Sequence, residues 1–360
     1  GAGTAITSLV LGLGVALNAS FIAAEVFNDP SVTVSVRIFG AAIPFAALFN
    51  LAIGGLRGNK QSLYPVYVQN IAHPVSRFVL IAGAVVFGLG QAGIAMAYAL
   101  PYVVSAVLGL VLLHRALPTA RSAIDTDLTE QLTRYSLPLT LSGISSFVYR
   151  SLDIFLILHM IGSTAVGVYG VTYAAVSFMG MLSTAFNFLG SPVASELEKE
   201  SGRDDVLDLF GLISRWLVIG SVCLLVPLAI FPEEFIVIIY GSKYREGGIV
   251  LMILAVGFAI KNVLSVHGPI LEALGRSKTL SFNSTVAAVS NLALNLALIP
   301  IYGITGAAIA TVGSFLLRDG LAIVAVRLDL GTTPLSAKTL RPLLIGAPFL
   351  TVFIVVVKPI

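Results

Sequence analysis

Stretches of about twenty apolar residues follow one another along this chain with only short polar gaps between them. Nothing else constrains the fold as strongly. A run of that length matches the hydrocarbon thickness of a bilayer. Inside a bilayer only structures that bond every backbone group internally are viable. The runs are continuous rather than alternating, which excludes a β-barrel. They lie near 5–26, 33–55, 67–88, 92–113, 137–161, 164–190, 209–231, 247–270, 281–300, 304–326 and 341–358. The chain is therefore expected to be an all-α polytopic membrane protein with about eleven visible transmembrane helices. Hydrophobic residues make up 57% of it and charged residues 11%, roughly half the charge of a soluble domain.

The gaps alternate in charge. One set holds Arg57, Lys60, Arg115, Arg121, Arg134, Lys199, Arg203, Arg276, Lys278, Arg327, Lys338 and Arg341; the other holds only Lys243 and Arg245. Cytoplasmic loops carry the excess of Lys and Arg, so the first set is placed inside and the first visible span runs outward. No gap is long enough to be a domain. The longest are 114–134 and the acidic, helix-prone stretch SELEKESGRDDVLD at 195–208, which reads as an extension of the preceding helix. Formal net charge is +3, too small to suggest a nucleic-acid partner. The one cysteine, Cys223, allows no internal disulfide.

Two short patterns recur. LRGNKQ at 56–61 resembles LGRSKT at 274–279, and FGLGQAGIAMA at 87–97 resembles YGITGAAIATV at 302–312. The offsets nearly agree, and both copies of each pattern fall on the same side of the membrane. That describes a parallel repeat, two pseudo-symmetric lobes about an axis along the membrane normal. The expected division is a partial N-lobe at 1–114, a cytoplasmic linker at 115–136, a C-lobe at 137–329, and a cytoplasmic loop with one further helix at 330–360. The chain opens GAGTAI, without Met, and is read as N-terminally truncated by about two helices. A site between two such lobes is a transporter arrangement rather than an enzyme one.

Charges inside spans carry the functional reading. Arg150 and Asp153 sit near the middle of 137–161, Lys261 in the middle of 247–270, and Arg318 with Asp319 inside 304–326. A central charge costs about 2.5 to 3.5 kcal/mol on insertion scales, so five would cost on the order of 15 kcal/mol. They must face protein or water. Arg150 can pair with Asp153, three residues on, and Arg318 with Asp319; Lys261 has no such partner in its own span. The alternative is a hydrated, net-positive cavity between the lobes, which Arg37 and Arg77 would widen if they do not snorkel to an interface. Guanidinium groups suit phosphate, so the candidate substrate-binding residues are Arg150, Asp153, Lys261, Arg318, Asp319, Arg37 and Arg77. The aspartates would hold the arginines or exchange a proton or cation. His73, His159 and His267 are scattered rather than clustered, so no metal and no cofactor is expected.

Several segments resemble the multidrug/oligosaccharidyl-lipid/polysaccharide (MOP) exporter superfamily, in its polysaccharide flippase branch. SLDIFLILHMIGSTAVGVYGVTYAA (151–175), with Asp153, Gly162, Gly167 and Tyr169, is similar to that family's seventh helix and following loop. LEALGRSK (271–278), with Gly275, Arg276 and Lys278, is similar to its short cytoplasmic turn. NLALNLALIPIYGITGAAIAT (291–311) resembles its helix pair at Asn291, Asn295, Pro300, Gly303, Gly306 and Ala307, and IYGSKY (239–244) resembles an outer-loop pattern.

The resemblance implies two six-helix lobes plus two more helices, worked by alternating access. It implies a non-enzymatic flippase of the cell membrane that moves polyprenyl-phosphate- or pyrophosphate-linked saccharides, with membrane lipid and glycosyltransferases of the same pathway as further partners. Arg150, Lys261 and Arg318 match no family motif and rest on the charge argument alone. Two other readings stay open: a cation-coupled multidrug exporter of the same superfamily, and a membrane-embedded polyprenyl glycosyltransferase or polysaccharide polymerase. The first would favour an acidic or aromatic cavity, and the second a sizeable loop with clustered acids or histidines.

Overall fold

Lipid offers the backbone no hydrogen-bond partners, so each apolar run closes its bonds within itself as a helix. The computed structural model of the chain describes residues 2–58, 63–116, 151–200, 203–273 and 276–332. All regular structure among them is helical. The chain divides into two compact units, Gly1–Tyr135 and Ser136–Ile360. The expected linker at 115–136 and the last span at 341–358 lie almost wholly or wholly outside the described residues, as does Arg150.

The first unit contains α1 (Ala2–Leu17), α2 (Thr33–Gly58), α3 (His73–Val86) and α4 (Gly90–Ala116). After Leu17 the chain bends by 59° and continues to Val26. Asn18 covers the break by donating from Nδ2 to the Gly14 carbonyl at 2.8 Å. Asp29 then caps the turn before α2, accepting from the Ser31 N–H at 2.9 Å. Hydrogen bonding from the Ser31 side chain, and then from this N–H, holds the Asp29 carboxyl below the usual carboxylate range. α1 and α2 pack backbone to backbone: a Cβ at Gly12 would stand 2.7 Å from the Gly40 carbonyl oxygen, and one at Gly40 would stand 2.7 Å from the Ala16 nitrogen. Phe49, Ile53, Val68 and Ala106 form the core between α2, α4 and the wide turn Val66–Ala72 that leads into α3.

The second unit contains α5 (Ser151–Met160), α6 (Ser163–Glu200), α7 (Arg203–Ile230), α8 (Pro232–Tyr240), α9 (Gly247–Leu264), α10 (His267–Ala273) and α11 (Ser277–Leu330). α6 does extend through the acidic stretch, as far as Glu200. The outer segment after Phe231 was expected as loop. Instead Pro232 at the first helical position and Glu233 and Glu234 in the first turn start the nine-residue α8, consistent with the preference for acids at a helix N-terminus.

α11 is a hairpin. Its arms, 277–302 and 304–330, join at Gly303 (φ 59°, ψ −138°). Asn291 and Ser314 lie 3.4 Å apart, although 23 residues of straight helix would separate them by about 35 Å. The two expected spans are thus two antiparallel helical arms that meet at Gly303. Six described helices are long and apolar enough to cross a membrane, or seven if the bent pair Gly3–Val26 is one span. The difference from eleven has definite sources. The hairpin counts once, 67–88 runs through a π-helical stretch, Val66–Ala72, into the shorter α3, only Ser151–Met160 of the fifth span is described, and 341–358 lies outside the described residues.

Candidate functional site

Two polar centres lie in the second unit. The first surrounds Asp153 on α5, which is 7% exposed. Asn295 Nδ2 on the first arm of α11 donates to Oδ1 at 2.7 Å. The Tyr169 hydroxyl on α6 donates to Oδ2 at 3.1 Å, and the Thr311 hydroxyl on the second arm donates to the same oxygen. Asn295 also reaches the Asn291 carbonyl, and Asn291 reaches Ser314. The carboxylate is therefore held by neutral donors from three elements. Arg150, its expected partner, lies outside the described residues, and no Lys or Arg forms a salt bridge with Asp153 among the described ones.

The second centre is a cavity of about 1060 Å³ between α6, α9 and both arms of α11. Lys261, Arg318 and Asp319 line it together with Tyr173, Phe258, Ser177, Thr184 and Asn283. Lys261 and Arg318 reach the wall from different helices and meet at the Phe315 ring. The ammonium lies 4.4 Å from its centroid and the guanidinium carbon 5.8 Å. Lys261 also lies 4.8 Å from the Phe258 centroid. Aromatic faces lower the cost of a partly desolvated cation, but they do not cancel its charge. Arg318 Nε donates to Asp319 Oδ1 at 2.8 Å, so this expected pair exists. One carboxylate then faces two cations, and Lys261 makes no salt bridge among the described residues. Asn262, next to Lys261, sets the rotation of α9. Its buried Nδ2 donates to the Met179 carbonyl on α6 at 2.8 Å and to Ser221 Oγ on α7 at 3.1 Å.

Of the residues expected from sequence, Lys261, Arg318 and Asp319 are brought together. Asp153 stands apart, in its own bonded cluster. In the first unit Arg37 is exposed, just past the first turn of α2, where its long stem suits an interface. Arg77 is half-buried against His73, Tyr98 and Tyr102. Sequence reasoning missed Asn262, Asn283 and Tyr173; polar and aromatic residues spaced within an apolar run are the only signal for them. Among the described residues no three His, Cys, Asp or Glu side chains gather as metal ligands.

Helical spans around a charged interior cavity define a class, the multi-pass membrane protein with a polar site inside its bundle. Solved structures with this fold include lipid II flippase MurJ in an inward closed conformation, with a TM-score of 0.72, 14% identity and coverage of 90% of this chain and 70% of that one. An inward-facing multidrug resistance MATE family transporter of the MOP superfamily matches with a TM-score of 0.69 and 14% identity, covering 91% and 79%. The chain belongs to the polysaccharide biosynthesis protein family, which residues 2–198 match. One relative, a probable low-salt glycan biosynthesis flippase (Agl15) of Haloferax volcanii, is 27% identical over 188 residues, or 51% of this chain and 39% of its own length. A probable flippase (AglR) of the same organism is 24% identical over 311 residues, covering 84% and 62%. The chain thus spans less than two thirds of these relatives.

Proposed function

We propose that the protein carries a polyprenyl-phosphate- or pyrophosphate-linked saccharide across the cell membrane by alternating access, and is not an enzyme. The observation that carries this reading is the placement of Lys261 and Arg318 on one cavity wall, from two helices, inside a bundle built for lipid. Two cations against one carboxylate favour an anionic occupant. Phosphate matches both groups, as a point charge for Lys261 and a planar fork for Arg318. Pockets for drug-sized ligands run to about 1,000 Å³, so the cavity has room for a phosphate and a sugar while the polyprenyl tail stays in lipid. Ser177, Thr184 and Asn283 supply hydroxyl and amide groups for the sugar.

Asp319 steadies Arg318. Asp153, ringed by hydroxyl and amide groups, suits exchange of a proton or hard cation that drives the step. Arg150, on the same span as Asp153, is a further candidate for the anion. The two units correspond to the two lobes, and glycosyltransferases of the same pathway would load the substrate. The likeness to a MATE transporter speaks for the fold. A multidrug exporter of cations would place carboxylates in excess on the cavity wall, whereas two cations stand there with one carboxylate.

The test is reconstitution into vesicles with a fluorescent polyprenyl-phosphate sugar. Lys261→Gln with Arg318→Gln is expected to lower translocation by a factor of about 100, from the loss of two charge-assisted contacts. Translocation at the wild-type rate would remove the cavity assignment.

A further inference from the structure

We infer that the first unit holds a second site for a phosphate-class anion, in which His73 is the positioning residue that aims Arg77. The inference rests on the reading that this protein handles an anionic lipid-linked ligand.

His73 and Arg77 lie one turn apart on α3. Arg77 Nη2 stands 2.8 Å from His73 Nε2. A guanidinium is protonated at every accessible pH, so Arg77 donates and Nε2 must be the bare nitrogen. The ring proton is then on Nδ1, which faces Ser105 Oγ on α4 at 3.1 Å. The imidazole cannot turn to escape this arrangement. Phe49 on α2 stacks on it at 5.2 Å and 15°, and the Tyr102 centroid lies 4.8 Å away. A chain of three residues, Ser105 to His73 to Arg77, therefore fixes the guanidinium.

What it fixes is an uncompensated charge. Arg77 lies 5.3 Å from the Tyr98 ring and 5.8 Å from the Tyr102 ring. All of these partners are neutral, and no carboxylate forms a salt bridge with Arg77 among the described residues. Its Nε is buried and has no acceptor. A buried donor left unmade costs about 1 to 3 kcal/mol, more when charged. A structure that spends three side chains on orienting such a group, and offers it no acid, is built for an anion that arrives. A planar fork with one nitrogen already engaged suits a phosphate oxygen. The phosphate has two possible sources, the lipid-linked substrate or a bilayer headgroup.

The experiment is binding of a fluorescent farnesyl phosphodiester to the full chain in micelles. Arg77→Gln is expected to bind about tenfold more weakly at this site, the scale of one charge-assisted hydrogen bond. His73→Gln, whose amide oxygen still accepts from Arg77, is expected to bind like wild type, whereas His73→Leu, which removes the acceptor, is expected to bind several-fold more weakly. Ser105→Ala, which loosens the imidazole without removing it, should fall between wild type and His73→Leu, and keeps the test if His73→Leu fails to fold. Displacement of the probe by phosphatidylglycerol assigns the phosphate to a bilayer lipid; resistance assigns it to the substrate. Wild-type binding by Arg77→Gln, or by His73→Leu, overturns the inference. The same probe on Lys261→Gln with Arg318→Gln separates the two readings. If only that variant loses binding, the cavity stands and the Arg77 site falls; if only Arg77→Gln loses it, the reverse holds.

Discussion

The two polar centres of the second unit handle buried charge in opposite ways. Asp153 is an anion whose neighbours satisfy it: three neutral donors from α6 and the two arms of α11 converge on its two oxygens. Lys261 is a cation whose neighbours only shelter it: two aromatic rings and a cavity, with no salt bridge among the described residues. A satisfied charge contributes to holding helices together. A sheltered one retains most of its appetite for a counter-ion. The difference separates a carboxylate that ties helices together, and would loosen them on taking up a proton or cation, from a cation that takes an anionic ligand, although both were equally improbable by sequence hydropathy.

The sharpest way to break this comparison is to delete each charge and measure stability and binding separately. Asp153→Ala takes an acceptor from three buried donors, although Asn295 keeps the Asn291 carbonyl and the Tyr169 and Thr311 hydroxyls can still bond each other. Thermal unfolding in micelles should show a loss of about 1 to 3 kcal/mol. Lys261→Met should leave the unfolding temperature unchanged or raise it slightly, since an apolar chain replaces a partly buried charge. Binding of the phosphate probe should nevertheless drop about tenfold. If Lys261→Met unfolds as readily as Asp153→Ala, the two centres are the same kind of thing and the distinction collapses. The smallest effect is expected at Asp29, a surface carboxylate bonded to the nearby Ser31 by its side chain and backbone N–H. Its folded-state pKa is depressed, so its contribution is present above the ordinary value of 3.8 and fades as pH falls through the lower folded value. Hydrogen exchange at the start of α2 should rise slightly in Asp29→Ala at pH 7 and match wild type near pH 2. A large effect there would mean that satisfaction, not burial, sets the scale at Asp153.

Much of the architecture was legible from the chain alone, because lipid leaves the backbone few choices. Apolar run length placed the helices, and the cost of central charges singled out Lys261, Arg318 and Asp319. Spacing arguments reached only neighbours along one helix. They paired Arg318 with Asp319, as found. They could not see that Asp153 takes its donors from residues 142 and 158 positions away. His73 looked like one of several scattered histidines. Its role depends on Ser105 and Phe49, which come from other helices. The turn at Gly303 was legible as a boundary between spans; that it folds the two arms against each other as a hairpin was not.

By itself the sequence determined what had to be buried from water and which charges could not face lipid, since both follow from transfer energies counted residue by residue. Only the tertiary structure decided which of those charges would be answered. Whether a carboxylate finds three donors or a lysine finds none depends on which helix faces press together, and that is settled by packing such as the Gly306 backbone closing to within 2.3 Å, Cβ position to carbonyl oxygen, of Leu298 across the hairpin.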